Sequence, residues 1–260
     1  MSTKTKQSKT KKTTFVSFLL DETGSMQSIK DDTVGGFNAY LETLQQDGSD
    51  ILFSLVSFNS SVTRKRYVAE PIRNVASLTD ADYQPAAMTP LIDAAVKIIK
   101  ATDEAVQRHK GTPNVVIVMQ TDGLENVSVE YTTADLAMLI KEKEAAGWQF
   151  IFLGAGLDAF DAARQAGIDI APERVVAYDR KRSHEVFAAT AANVMDYVGS
   201  GKVFDLGYSP AQRARVGDQY TDQYLDPKAG TSEPKKKKTG FGKKTKNTGT
   251  KSSTVDDFEL

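Results

Sequence analysis

Residues 15–25 read FVSFLLDETGS, and this stretch decides the fold. The run from Phe15 to Leu20 is short and largely apolar, which is typical of a buried strand. A polar, turn-like segment, residues 21–25, follows the strand directly. From Met26 to Leu44 the apolar residues then recur at helical spacing. The stretch therefore predicts a strand–loop–helix unit whose loop carries carboxylate and hydroxyl side chains.

The same alternation of strands and helices continues along the chain. Residues 50–59 and 62–70 predict a hairpin, with the first strand central and the second at an edge. Three more strands are predicted, at residues 114–120, 149–153 and 174–177. A helix is predicted to begin at Thr89-Pro90, with Thr89 as its N-cap, and others cover about 132–146, 158–166 and 183–198.

These elements predict an α/β fold. Apolar strands that alternate with helices indicate a mostly parallel central sheet covered by helices on both faces. The predicted architecture is Rossmann-like and doubly wound, with one antiparallel edge strand, and another doubly wound arrangement is the alternative.

Composition divides the chain into four parts. Residues 1–13 form a basic N-terminal tail that we expect to be disordered, and residues 14–200 form the folded domain. Residues 201–226 form an extension in which one helix is predicted near 209–224. Residues 227–260 form a Lys-rich tail with an acidic end, which we expect to be flexible.

The net charge of −1 hides a strong asymmetry along the chain. Residues 1–14 carry five lysines, and residues 227–251 carry nine lysines and one glutamate. The end of the chain is acidic, so residues 15–226 are left with a net charge of −11. An acidic folded part is a poor surface for phosphates. Any affinity for nucleic acid would therefore reside in the tails.

Composition also excludes several classes of site and location. The chain has no cysteine, which excludes disulfides and thiolate metal sites. The run from Phe15 to Leu20 is too short for a secretory signal, and no apolar stretch is long enough to span a membrane. The sequence therefore predicts a cytoplasmic protein without membrane partners.

Three polar segments lie at one edge of the predicted sheet. Two of them directly follow strands, and the third lies in the loop that opens a helix. In an open α/β sheet, ligands bind beyond the carboxyl ends of the strands. Carboxylate and hydroxyl oxygens are hard ligands suited to Mg²⁺, and alternatively to Mn²⁺ or Ca²⁺. The sequence thus predicts a metal site formed by Asp21, Thr23, Ser25, Thr89 and Asp122.

These segments resemble the metal-ion-dependent adhesion site of von Willebrand factor type A domains. The resemblance covers about residues 13–200 and includes DETGSM after the first strand, a lone MTP and a later TDG. Thr23 stands where the family more often has serine. The resemblance implies that Thr23, Ser25 and Thr89 contact the metal directly. It also implies that Asp21 and Asp122 do so directly or through water.

The resemblance also implies a function. In such a site the cation keeps an open position that an Asp or Glu carboxylate of a partner protein fills, and no reaction is catalysed. Glu125-Asn126 after the TDG resembles what intracellular members carry. An intracellular bacterial or phage adaptor or assembly factor is therefore implied, and its expected partners include an AAA+ ATPase or a phage or host assembly protein.

Each segment also has a plainer interpretation. Thr89 before Pro90 would serve as a helix cap, Asp122-Gly123 as a turn, and Asp21 as a capping residue. The joint placement of all three segments at the ends of strands favours the metal site.

Two other functions are alternatives to the binding module. A Mg²⁺-dependent phosphatase of the haloacid dehalogenase type needs a second Asp two residues after the first, where this chain has Thr23. The other function is association with nucleic acid through the basic tails. A purely solubilising role is the alternative interpretation of those tails. Salt-sensitive binding of single-stranded DNA that disappears when residues 227–260 are deleted would support the association with nucleic acid.

Overall fold

One six-stranded sheet forms the centre of the protein, in a computed structural model that describes residues 12–46 and 50–225. The strands are β1 (Thr14–Asp21), β2 (Ile51–Asn59), β3 (Val62–Pro71), β4 (Asn114–Thr121), β5 (Gln149–Ala155) and β6 (Val175–Tyr178). Their order across the sheet is β3-β2-β1-β4-β5-β6. Neighbouring strands run parallel except for β3, which pairs antiparallel with β2 at one edge. The predicted fold class is confirmed.

Helices cover both faces of this sheet, as the sequence predicts. They are α1 (Lys30–Gln46), α2 (Leu91–Arg108), α3 (Thr133–Ala145), α4 (Ala159–Ala166), α5 (Ser183–Ser200), α6 (Pro210–Val216) and α7 (Thr221–Leu225). Apolar residues of α1 and α5 share one buried core, and those of α2, α3 and α4 share the core on the opposite face. The single helix predicted near 209–224 is instead two short helices, because Gly217 adopts a left-handed φ of 75° and ends α6.

Strand β1 is buried along its whole length. Its side chains alternate between the two cores: Phe18 packs with α1 and α5, and Leu19 packs with α2. Ser17 also points toward α2, where its Oγ lies 2.7 Å from Thr102 Oγ1. A buried central strand has a fixed register, so the position of its last residue, Asp21, is also fixed.

The direction of strand order changes between β1 and β4. Strand β2, the next strand along the chain, pairs with one side of β1, and β4 pairs with the other side. Asp21 is the last residue of β1, and Asp122 comes directly after β4. This crevice is where open α/β sheets bind their ligands.

The extension after α5 packs on the same domain. Leu206, Tyr208 and Val216 are buried in the core that also contains α1 and α5. Within the described ranges, no helix has the length and apolar character needed to cross a membrane. The predictions of a disordered N-terminal tail and a flexible Lys-rich tail concern segments that lie, apart from residues 12 and 13, outside the described residues.

Candidate metal site

The loop after β1 brings three of the predicted ligands against a fourth. Asp21 Oδ1 accepts a hydrogen bond from the Thr23 backbone amide at 2.7 Å, and Asp21 Oδ2 accepts one from Thr121 Oγ1 at 2.5 Å. The hydroxyl oxygens of Thr23 and Ser25 lie 3.2 Å apart. Ser25 Oγ then donates to Asp122 Oδ1 at 2.5 Å. Side chains from the ends of β1 and β4 therefore meet at one point.

Thr89 does not cap a helix, so that prediction is wrong. The residue at the N-cap of α2 is Pro90, and it makes no side-chain capping bond. The carboxylate of Glu125 caps the helix instead, because Glu125 Oε2 accepts a hydrogen bond from the Ile92 amide in the first turn of α2 at 2.8 Å. An ionised carboxylate is a strong partner for the positive end of a helix. The hydroxyl of Thr89 is thereby not committed to the helix.

Thr89 instead faces the same point as the other predicted ligands. Asn126 holds its backbone on both sides: Asn126 Oδ1 accepts from the Thr89 amide at 3.0 Å, and the Asn126 amide donates to Thr89 O at 3.2 Å. A methyl group added to Gly123 would lie 3.1 Å from Thr89 Oγ1 and 3.8 Å from Ser25 Oγ. The absence of a side chain at Gly123 therefore keeps the space between the hydroxyls open.

The two carboxyl groups of the site are in an unfavourable environment for their charges. Burial raises the pKa of Asp21 to about 6, although hydrogen bonds from Thr121 and Thr23 partly oppose this. Burial also raises the pKa of Asp122, opposed by the hydrogen bond from Ser25 and by the charge of Arg180. Asp122 Oδ2 is buried without a hydrogen-bond partner. A cation at this position would stabilise the charged forms of both carboxylates.

The donor set fits a hard divalent cation. The described ranges contain no cluster of three or more His, Cys, Asp or Glu side chains, so a metal here depends on hydroxyl oxygens as well. Two carboxylates and three hydroxyls suit Mg²⁺, Mn²⁺ or Ca²⁺ better than metals that prefer nitrogen or sulfur. Thr23 and Thr89 are buried while Ser25 is exposed, so the site opens to solvent on one side.

Arg180 is a site residue that the sequence analysis missed. Its Nη2 lies 2.8 Å from Asp122 Oδ2, in an ion pair without hydrogen-bond geometry, and its Nη1 donates to Ser28 Oγ at 3.0 Å. Arg180 lies in the turn directly after β6, at the same edge of the sheet as the predicted ligands. This position after a strand is the one feature of the sequence that indicates a place for Arg180 in the site.

Glu22 is the second residue that the sequence analysis missed. It lies between two predicted ligands and is buried. Its Oε1 accepts from Arg64 Nη1 at 2.9 Å and from the Gln84 amide at 2.7 Å, and its backbone oxygen accepts from the Ala86 amide at 3.0 Å. Glu22 therefore ties the loop after β1 to β3 and to the segment that leads to Thr89.

Comparison with known proteins places the fold. No protein-family model and no curated protein sequence matches this chain. Among solved structures, proximal thread matrix protein 1 from the mussel byssus matches with a TM-score of 0.52 and 10% identity, over 69% of this chain and 47% of that one. The fold is von Willebrand factor type A-like.

Two further solved structures support this type A-like fold. One is the mussel protein with a zinc-occupied MIDAS motif, at a TM-score of 0.51 and 10% identity, over 69% of this chain and 47% of that one. The other is the pilus adhesin SpaC from Lactobacillus rhamnosus GG in its open conformation, at a TM-score of 0.51 and 14% identity, over 72% of this chain and 30% of that one. This chain thus spans less than half of each of these proteins, and the likeness concerns the fold.

Proposed function

We propose that this protein is a metal-dependent protein-binding module. A divalent cation, Mg²⁺ or alternatively Mn²⁺ or Ca²⁺, is held by oxygens of Asp21, Thr23, Ser25, Thr89 and Asp122. Its open position accepts an Asp or Glu carboxylate of a partner. The observation that carries the proposal is the convergence of two buried carboxylates and three hydroxyls at the switch point of the sheet, with Ser25 open to solvent.

The chemistry of the site favours binding over catalysis. Neutral hydroxyl ligands leave a cation with much of its positive charge, which attracts an external anion. Thr23 stands where a phosphatase would have its acid–base carboxylate, and its hydroxyl faces Ser25. Neighbours in fold are described as a thread matrix protein and a pilus adhesin, and one carries zinc in its MIDAS motif. These names support a binding role without a reaction.

The surroundings of the site indicate what kind of partner surface fits it. Met88 and Leu124 adjoin the Thr89 and Asp122 segments, and their side chains are 52% and 50% exposed. Ser60 fixes the backbone of Met88, because Ser60 Oγ accepts from its amide at 3.0 Å and the Ser60 amide donates to its oxygen at 2.9 Å. A partner that presents an acidic residue among apolar side chains complements this surface.

The cellular role proposed here is that of an intracellular bacterial or phage adaptor or assembly factor in the cytoplasm. Its candidate partners are an AAA+ ATPase or a phage or host assembly protein. The support is the resemblance of Glu125-Asn126 to the pattern of intracellular members. In the structure both residues have defined tasks, since Glu125 caps α2 and Asn126 holds Thr89.

Calorimetric titration of Mg²⁺ and Mn²⁺ into the purified protein tests the metal site. We expect one ion per chain for the wild type and a loss of at least tenfold in affinity for Asp122→Asn and Thr89→Val, since each removes a ligand oxygen. Asp31→Asn is the control, because Asp31 is an exposed carboxylate on α1. Equal affinity in all four proteins, or no binding by the wild type at millimolar metal, would overturn the proposal.

Affinity capture from the native host then tests the partner. Wild-type protein with and without EDTA is compared with Asp122→Asn as bait. A partner that is lost in both EDTA and the variant is held through the metal. A partner that remains in both contradicts the metal-bridged mode of binding.

A further inference from the structure

Arg180 enters the metal site from the turn after β6 and is held there by other strand ends. Ser28, from the segment after β1, accepts a hydrogen bond from its Nη1 at 3.0 Å. Gly156, directly after β5, leaves room for its side chain, since a methyl group there would come within 2.8 Å of Arg180 Nε. Its Nη2 reaches Asp122 Oδ2 at 2.8 Å. The guanidinium charge is thus positioned against one of the proposed metal ligands.

The contact is electrostatic and partly open to solvent. The Asp122 side chain is fully buried, while that of Arg180 is 38% exposed. Asp122 Oδ2 gains a neighbouring charge but no hydrogen bond. Arginine stays protonated at all relevant pH values, so its charge persists when a cation approaches. A divalent ion at the site therefore meets a carboxylate whose charge is already partly neutralised.

The side chain of Arg180 also borders open space. A cleft of about 390 Å³ adjoins it and is lined by Gly156, Tyr178, Lys181 and Tyr220 as well as Arg180 itself, whereas none of the predicted metal ligands lines it.

We propose that Arg180 is a built-in counter-cation of Asp122 that lowers the affinity of the site for a divalent cation. This inference rests on the proposed function of the same site. When the metal is bound beside Arg180, the site holds an excess of positive charge. An incoming carboxylate neutralises that excess, so metal and partner strengthen each other's binding.

Calorimetric titration of Mn²⁺ alone into metal-free protein tests the inference. Arg180→Met retains an unbranched apolar side chain beside Gly156 and removes the charge, and Arg180→Gln is a second neutral variant in case one fails to fold. Lys181→Gln is the matched control, because it removes the same charge from the next, exposed residue. We expect both Arg180 variants to bind Mn²⁺ about tenfold more tightly than the wild type. We expect Lys181→Gln to stay within about twofold and Arg180→Lys to stay close to the wild type.

The outcomes separate this inference from the proposed function. If the neutral Arg180 variants bind Mn²⁺ no more tightly than Lys181→Gln, or more weakly than the wild type, the inference is wrong while the metal site stands. If neither the wild type nor these variants bind Mn²⁺, the proposed function itself fails. Thermal unfolding of the metal-free proteins shows that each variant is folded.

Discussion

The buried carboxylate of Asp21 costs the metal-free protein stability. The carboxylate is fully buried, with hydrogen bonds from the Thr23 amide and the Thr121 hydroxyl. These bonds do not replace the lost hydration, and the pKa of Asp21 rises to about 6. In the unfolded chain the pKa lies near its usual value of 3.8. The folded, metal-free protein therefore binds the proton more tightly than the unfolded chain.

The stability of the metal-free protein depends on pH because the pKa of Asp21 is higher in the folded state than in the unfolded chain. Between about pH 4 and pH 6 the folded state holds a proton on Asp21 that the unfolded state has released, so stability falls as pH rises. Above about pH 6 both states are ionised and the penalty is constant, at about 3 kcal/mol for this group. Asp122 contributes in the same direction, because its pKa is also raised.

We predict that Asp21→Asn stabilises the metal-free protein at pH 7.5. The amide oxygen of Asn can still accept from the Thr23 amide, and the Thr121 hydroxyl can turn to donate to Gly123 O, which lies 3.1 Å away. Urea unfolding in EDTA should show a gain of up to about 3 kcal/mol that shrinks toward pH 4, together with a loss of metal binding. A variant that is less stable than the wild type at pH 7.5 would show that the charge of Asp21 is not penalised.

The sequence indicates candidate ligands by their residue type more readily than it indicates the residues that surround them. Asp21, Thr23 and Ser25 could be predicted because they form a pattern after a strand, and the structure brings them together with Thr89 and Asp122. Arg180 could not, because an arginine after a short strand has many other uses and its contact with Asp122 spans the ends of three neighbouring strands, β4 to β6. Thr89 looked like a cap because the true partner of α2, Glu125, is more than thirty residues away in sequence.

At the scale of elements, the contact between α1 and α5 depends on a glycine. Gly36 is buried, and a methyl group on it would lie 2.6 Å from the ring of Phe187 and 3.2 Å from Ser183 O. Gly35, the preceding residue of α1, would meet only the imidazole of His184, which is exposed and can move. The two neighbouring glycines thus differ in what surrounds them.

We predict that Gly36→Ala destabilises the protein and that Gly35→Ala does not. The added methyl at residue 36 forces α1 away from α5, at a cost of about 1–3 kcal/mol, although alanine favours the helix by about 1 kcal/mol. At residue 35 the helical preference should dominate and leave stability unchanged or slightly higher. Urea unfolding midpoints of both variants measure the difference. Equal midpoints would mean that the two helices are free to separate.

The sequence predicts the bounds of the strands more accurately than the starts of the helices. The apolar runs at 15–20 and 114–120 lie inside β1 and β4, because a buried strand needs every residue to be apolar or paired. The helix predicted from Met26 begins as a 3-10 turn over Gly24–Ile29, and α1 proper begins at Lys30. Apolar spacing cannot distinguish these, since a short 3-10 turn and an α-helix bury similar positions.

At the scale of the whole molecule, charge restricts how a partner approaches. Residues 15–226 carry a net charge of −11, so the folded part repels an acidic partner at a distance. The proposed cation and Arg180 would form a local positive point on this acidic surface. An acidic residue is then recognised at one place and rejected elsewhere, which gives specificity through charge alone.

A buried arginine joins the extension after α5 to the domain, in addition to the apolar contacts of Leu206, Tyr208 and Val216. Arg213 is 2% exposed, and its guanidinium donates to the backbone oxygens of Val175 at 2.8 Å and Glu173 at 3.0 Å. Its Nη1 also pairs with Asp218, whose side chain is fully buried, at 2.8 Å. Removing this arginine would leave the buried Asp218 carboxylate without its counter-charge, which typically costs about 3–5 kcal/mol.

We therefore predict that Arg213→Met lowers the free energy of unfolding by about 3 kcal/mol or more. Arg215→Met, an exposed residue of the same helix, is the matched control and should change it by less than about 0.5 kcal/mol. If the extension belongs to the domain, urea unfolding of Arg213→Met remains a single transition with a lower midpoint and an unchanged slope. A separate early transition, with the main midpoint unchanged, would instead show that residues 201–225 fold independently of the sheet. Because β6 contacts this extension and leads directly into Arg180, a cooperative loss would also connect the stability of the extension to the proposed metal site.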